Sequence, residues 1–234
     1  MTATTSHAAR RAARAGLLFD LDGTLATTEH LHRAAYASLL EAHGRVLDAD
    51  TFATKVRGRA GRDVVRALFP HSDDREHLDL TERKEKAFRE LATARGLVPT
   101  KGAHALIGWA RERGVATALV TNAPRANADL VVEVLGLAGD FDVVISISDV
   151  ARGKPHPDPY LVGLAALGLD AAHAMAVEDS PVGIASARAA GLDVIAIESP
   201  TCDATVIRDA AICVVDMADA RLLALIAARF GLAP

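Results

Sequence analysis

The sequence predicts an α/β fold, a doubly wound parallel sheet interrupted by an all-helical insertion. Three observations predict it. Short apolar, β-prone runs alternate with helix-length stretches, the pattern of parallel strands joined by crossover helices. Several of those runs end on a polar or acidic residue, as strands do when they emerge at a sheet edge. One long segment in the amino-terminal half has helical character only. The core is therefore expected to be Rossmann-like, with ligands in the crevice outside the carboxyl ends of the strands.

The first strand is read at 16–20, Gly-Leu-Leu-Phe-Asp, an apolar run ending in an acid. Residues 115–121 and 174–179 repeat the design, ending on Thr121 and on Glu178-Asp179. Further strands are expected at 193–197 and 211–215. Helices are expected at 102–113, 125–135, 159–167, 182–190 and 219–230. Between the first strand and the second, consecutive helices are read at 29–43, 50–55, 62–68 and 73–95, with no convincing strand among them. The expected organisation is a disordered tail at 1–15, an α/β core at 16–26 and 97–234, and a helical domain at 27–96. That domain leaves the core just after Asp20, so it is expected to sit over the crevice as a lid.

Composition narrows the partners. The chain has 234 residues, half of them hydrophobic and about a quarter charged, as in an ordinary globular protein. Its formal net charge of -4 supplies no basic field for nucleic acid or anionic membrane. No apolar run approaches the roughly 20 residues that span a bilayer. The tail carries Arg10, Arg11 and Arg14 without the apolar stretch of a secretory signal, and is read as frayed rather than as a transit peptide. Cys202 and Cys213 have no metal or redox spacing and are read as core residues in a reducing cytoplasm. Without heptads, a monomer is expected.

The chemistry concentrates at the strand ends. In Asp20-Leu21-Asp22-Gly23-Thr24, Asp20 offers a carboxylate nucleophile for phosphoryl transfer. Asp22, two residues on, lies on the same side of an extended chain and can act as general acid and then base. That role suggests a raised proton affinity. Gly23 lets the chain turn where backbone meets ligand. Glu178 and Asp179 add the hard oxygen ligands that Mg2+ prefers. Thr121 and Asn122 offer a hydroxyl and an amide to phosphate oxygens, and are also good caps for the helix begun near Pro124. Lys154 supplies a fixed positive charge for phosphate and for Asp20.

These residues resemble the haloacid dehalogenase-like hydrolase superfamily. FDLDGT, VTNAPR, GKPHPDPY and VEDSPVGIASARAAG match its four motifs in order, and the likeness runs from Leu17 to about Ile197. The resemblance implies Asp20 as nucleophile, Asp22 as acid/base, and Thr121 and Lys154 as phosphate contacts. It implies Mg2+ on Asp20, on Asp179 and on the main-chain carbonyl of Asp22, with Glu178 as a metal contact behind these ligands or through water. The helical block resembles the cap of the subgroup that holds beta-phosphoglucomutase and small sugar-phosphate phosphatases. Within it His32 matches a cap histidine facing the active site. Arg57-Gly58, followed by Asp63, matches a substrate-specificity loop, and Lys84 matches a cap lysine.

Two departures bear on substrate choice. Thr27 stands where the subgroup usually has an acid, and the loop from Arg57 to Arg62 lacks the usual serine. His32 by itself is as readily a packed or solvated residue, and Arg57, Arg59 and Arg62 as readily a solvated patch. The mixed charges of Glu82, Arg83, Lys84, Glu85 and Lys86 read as an exposed helix face. The expected activity is Mg2+-dependent hydrolysis of a small phosphorylated metabolite: a sugar phosphate, a polyol phosphate or a phosphoglycolate-like compound. The alternative is a phosphosugar mutase. Haloacid dehalogenation, which needs neither Asp22 nor a metal site, and a non-catalytic phospho-ligand binder are weaker.

Overall fold

The computed structural model describes residues 15–57, 59, 61–199 and 210–233. Residues 1–14 of the expected tail, Gly58, Ala60 and Cys202 lie outside them. Ala15, placed in that tail, is instead buried, and its carbonyl accepts from Ala116 N–H at 2.9 Å, so the core begins at least one residue earlier than expected. Six parallel strands form one sheet: β1 (Gly16–Phe19), β2 (Ala116–Val120), β3 (Val143–Ile145), β4 (Ala174–Glu178), β5 (Asp193–Ile197) and β6 (Ile212–Val214), in the order β3-β2-β1-β4-β5-β6. The order reverses direction at β1, the switch point at which open α/β sheets bind ligands. Register fixes what meets there. Phe19 lies opposite Leu119 on one side and Val177 on the other, so Asp20 emerges beside Val120 and Glu178.

The sheet is covered on both faces because its strands are apolar on both. Leu17 and Phe19 point to one face and Leu18 to the other, as a two-residue repeat requires. The first face packs α5 (Ala103–Glu112), α6 (Arg125–Val134) and α9 (Ala220–Phe230), through residues such as Leu106, Val131 and Ile226. The second packs α7 (Asp158–Leu167) and α8 (Pro181–Ala189), through Tyr160, Leu164 and Ile184. β3 was not expected. It is three residues long, half-buried at the sheet edge, and preceded by Asp140 and Asp142, which mask its apolar signal. Cys213 on β6 is only partly buried, at the margin of the second cluster.

The regular elements among the described residues of the insertion are all helical: α1 (Glu29–Glu41), α2 (Ala49–Thr51) running into a π-helical turn (Phe52–Val56), α3 (Gly61–Leu68) and α4 (Asp74–Arg95). It has its own apolar cluster, with Tyr36, Leu40, Phe52, Val65 and Leu80. A second apolar face, Leu31 and Ala35 of α1 with Phe88 and Ala92 of α4, joins the core's first cluster. The two connecting strands of chain meet at a bridge between Ala26 and Pro99, and Thr100 N–H donates to the Leu25 carbonyl at 2.8 Å. No helix among the described residues is long and apolar enough to cross a membrane.

β1 is the keystone of the sheet. Leu18 is fully buried, and α7 approaches it so closely at Gly163 that an added Cβ there would lie 3.0 Å from Leu18 Cδ2. Leu18→Ala is expected to cost about 2–5 kcal/mol by lost burial and a residual cavity. Urea unfolding checks this as a lower midpoint at an unchanged slope.

Candidate active site

The site is built where β1, β2 and β4 end. Lys154, in the loop before α7, reaches inward and is 7% exposed. Its Nζ donates to Asp20 Oδ1 at 2.6 Å, to Glu178 Oε1 at 2.5 Å and to the Val120 carbonyl at 2.8 Å. A three-proton ammonium is thereby fully used. Asn122 holds the same loop by its backbone. Its Oδ1 accepts from Lys154 N–H at 2.9 Å, and its Nδ2 donates to the Lys154 carbonyl at 3.1 Å. Gly153 lets the loop come this close, since a Cβ there would sit 2.6 Å from Asn122 Oδ1. The expected capping of α6 by Asn122 or Thr121 does not occur. Pro124 is the N-cap residue and no side chain caps it. Thr121, buried after β2, accepts from Ala123 N–H at 3.0 Å.

Glu178 is fully buried. Besides Lys154 it accepts from Tyr160 Oη at 2.7 Å and from Ser180 Oγ at 3.3 Å. Tyr160 and Ser180 were not singled out from sequence. Tyr160 reads as one more apolar residue of α7, and Ser180 as the helix cap it also is, accepting from Gly183 N–H at 3.1 Å. Asp179 accepts from Thr24 Oγ1 at 3.3 Å and lies against Gly23, whose positive φ of 92° and missing Cβ make room for its carboxylate. Oxygens of Asp20, Glu178 and Asp179 lie within 4.8 Å of one another.

Three carboxylates therefore surround one buried ammonium. Burial pushes the proton affinity of Asp20 up, and Glu178 and Asp22 add repulsion that Lys154 only partly offsets, so its pKa rises to about 7. Asp179 is raised well above the carboxylate range by burial and then by Asp20 and Glu178. Burial works against the charge on Lys154, but its two carboxylate partners outweigh that and raise its pKa. A hard divalent cation fits this donor set. It would bind through the oxygens of Asp20 and Asp179, with Glu178 close by, and would relieve the excess negative charge.

Asp22 corrects an expectation. Burial does oppose its ionisation. The ring of His32, the hydroxyl of Thr28 and the charge of Lys84 outweigh burial and hold its pKa below the usual value. Thr28 Oγ1 donates to Asp22 Oδ1 at 2.7 Å, and His32 Nε2 lies 3.3 Å from the same oxygen. His32 stacks on Phe88, with ring centroids 4.2 Å apart, and Lys84 Nζ approaches its Nδ1 at 2.9 Å. The cap thus reaches the core site through His32. It does not do so through Arg57, whose guanidinium donates to Glu29 at 2.9 and 3.1 Å and lies over the Phe52 ring. Lys84 and Glu85 are buried, not on an exposed face: Lys84 sits against Tyr36 and Phe88, and both are held inside the domain contact.

The fit around Glu178 is tight enough to test. A Cβ on Gly183 would lie 2.0 Å from the Glu178 carboxyl, which three donors hold in place. Helix propensity alone favours Ala over Gly by about 1 kcal/mol. The collision is expected to win, so Gly183→Ala should lower the thermal midpoint. A rise would show that Glu178 moves freely.

Known proteins match this arrangement. The family model for haloacid dehalogenase-like hydrolase matches residues 15–191. The validoxylamine A 7'-phosphate phosphatase of Streptomyces hygroscopicus subsp. limoneus is 32% identical over 208 residues, covering 87% of this chain and 94% of that protein. Protein CbbY of Rhodobacter capsulatus is 38% identical over 192 residues, covering 76% and 83%. The crystal structure of CbbY from Rhodobacter sphaeroides in complex with phosphate superposes with a TM-score of 0.80 at 27% identity, covering 88% of this chain and 96% of that one. With its four motifs gathered at the carboxyl end of one parallel sheet, the chain belongs to the haloacid dehalogenase-like hydrolase family.

Proposed function

We propose that this protein is a Mg2+-dependent phosphatase that hydrolyses a small phosphomonoester through an aspartyl-phosphate on Asp20. The observation that carries the reading is the buried Lys154 bridge between Asp20 and Glu178, with Asp22 facing the same crevice. Lys154 engages one oxygen of Asp20, Oδ1, and leaves Oδ2 as the oxygen to attack phosphorus. The substrate class is a sugar phosphate, a polyol phosphate or a phosphoglycolate-like compound. The phosphatase from Streptomyces and the phosphate complex of CbbY support a small phosphorylated ligand.

Mg2+ supplies positive charge to the phosphate oxygens and to the three carboxylates when bound. This chain's own groups do the rest. Asp20 Oδ2 attacks phosphorus in line as the ester P–O bond breaks, and Asp22 gives a proton to the departing alkoxide. Asp22 is ionised in the arrangement described, so it must first take up a proton. An arriving phosphate dianion favours that by like-charge repulsion. In the second half Asp22 takes a proton from water, whose oxygen attacks the aspartyl-phosphate at phosphorus. Inorganic phosphate leaves and the Asp20 carboxylate returns. The Thr121 hydroxyl binds a phosphate oxygen, and Lys154 binds another by giving up one of its three present acceptors. Asn122 fixes the Lys154 loop, and the helical cap at 27–96 excludes bulk water and selects the leaving group.

Phosphate release from a panel of small phosphomonoesters tests the reading. Asp20→Asn is expected to lower turnover by roughly three orders of magnitude or more, and Asp22→Asn by about a hundredfold or more. Robust turnover in Asp20→Asn would refute the nucleophile. Conversion of a sugar 1-phosphate to its 6-phosphate without phosphate release would replace hydrolysis by the mutase reading.

Cation binding should depend on pH in a defined direction. Asp20, near 7, and Asp179, also raised, must lose protons to bind a cation. Raised carboxylates make the cation-free protein less stable as pH climbs from their unfolded values toward the folded ones. Mg2+ should therefore raise the thermal midpoint more at about pH 8 than at about pH 6. An equal rise at both would contradict the charge balance described.

A further inference from the structure

A chain of polar side chains leaves the core at Asp22, crosses the cap and returns to the core at α6. Asp22 Oδ1 faces His32 Nε2 at 3.3 Å, and His32 Nδ1 faces Lys84 Nζ at 2.9 Å. Lys84 Nζ donates to Glu85 Oε1 at 3.0 Å. The other oxygen, Glu85 Oε2, accepts from Asn127 Nδ2 at 2.6 Å, and Asn127 Oδ1 accepts from Arg89 at 2.8 Å. Lys84, Glu85 and Asn127 are all buried, Asn127 to 1% exposure.

Donor chemistry gives the chain a direction. A lysine ammonium has donors only, so His32 Nδ1 must accept from Lys84. The ring proton is then on Nε2, and His32 can only donate to Asp22. Lys84 thus selects one of the two neutral tautomers, and Glu85 holds Lys84 in place. What holds Glu85 is Asn127, from the other domain. Both ends of the Asn127 amide go to α4, to residues one helical turn apart, and so fix that helix in rotation as well as in height. A buried polar link of this kind adds little stability over an apolar contact of the same size, so its use is orientation.

We propose that Asn127 is a positioning residue. It clamps α4 to the core so that Lys84 and His32 present a donor to Asp22 only when the cap is seated. Asn127 touches neither substrate nor the reacting atoms. The proposal rests on the reading of Asp22 as acid and base.

The test compares wild type with Asn127→Ala and with Glu85→Gln, which keeps its volume but breaks the charge pair with Lys84. Two readouts are taken: turnover on the best phosphomonoester of the panel, with Mg2+ present, and the side-chain nitrogen resonances of His32 at one fixed pH. Wild-type His32 is expected as the Nε2–H tautomer. In both variants it should become a mixture, and kcat should fall roughly three- to thirtyfold with KM nearly unchanged, the size of effect that coupling residues remote from a ligand have. The double variant should lose much less than the product of the single losses. If Asn127→Ala does not fold, Glu85→Gln carries the same expectations. A folded variant with wild-type kcat, or with lowered kcat but an unchanged His32 spectrum, overturns the proposal. If wild type releases no phosphate from any ester, the phosphatase reading fails, and the His32 spectra alone decide the clamp.

Discussion

The structure turns on a charge imbalance that the fold buries. Asp20, Glu178 and Asp179 face one ammonium, that of Lys154, at the centre of a sheet edge with almost no water contact. Ion pairs of this kind are costly to desolvate and are weak evidence for stability. The surroundings are accordingly built to hold the cluster rather than to gain from it. Tyr160 and Ser180 fill the remaining acceptor positions of Glu178, Asn122 locks the Lys154 loop, and Gly23, Gly153 and Gly183 let backbone stand where a methyl group would collide. The residual negative charge calls for a cation, and only with that cation bound would the site accept an anionic ligand on a chain of net charge -4.

Parallel topology delivers these groups without long loops. β1 sits between β2 and β4, so three strand ends bring Asp20, Thr121 and Glu178 to one crevice. The inserted helices leave and re-enter the core beside that crevice, across the bridge between Ala26 and Pro99. Apolar packing of Leu31, Ala35, Phe88 and Ala92 seats them on the core, and the polar chain through His32 and Lys84 sets their angle. Non-directional burial supplies the adhesion, and hydrogen bonds supply the geometry.

Much of the site was legible because strand ends have a local signature. An apolar run closing on Asp20, Thr121 or Glu178-Asp179 is visible within a few residues, and Lys154 stands out between Gly153 and Pro155. Other residues carry no such mark. Glu85 looked solvated within a run of mixed charges, and only a partner 42 residues away, Asn127, makes it a buried one. Tyr160 and Thr28 look like ordinary helix and linker residues until the fold brings Glu178 and Asp22 to them. Position two after Asp20 gave the side on which Asp22 lies. It could not give its proton affinity, which the cap lowers through His32. Edge strand β3 escaped for a simpler reason: three residues preceded by acids hold too little periodicity to read.

The most direct measurement is chemical trapping of the covalent intermediate. Enzyme turning over a phosphomonoester with Mg2+ would be quenched in acid, reduced with borohydride and digested, and the peptide containing Asp20 weighed. An aspartyl-phosphate is reduced at its acyl carbon to homoserine, whereas a free carboxylate is untouched. The account predicts that mark at Asp20 and only when substrate is present. Phosphate release with the Asp20 peptide unmodified, or the mark on another carboxylate, would contradict it.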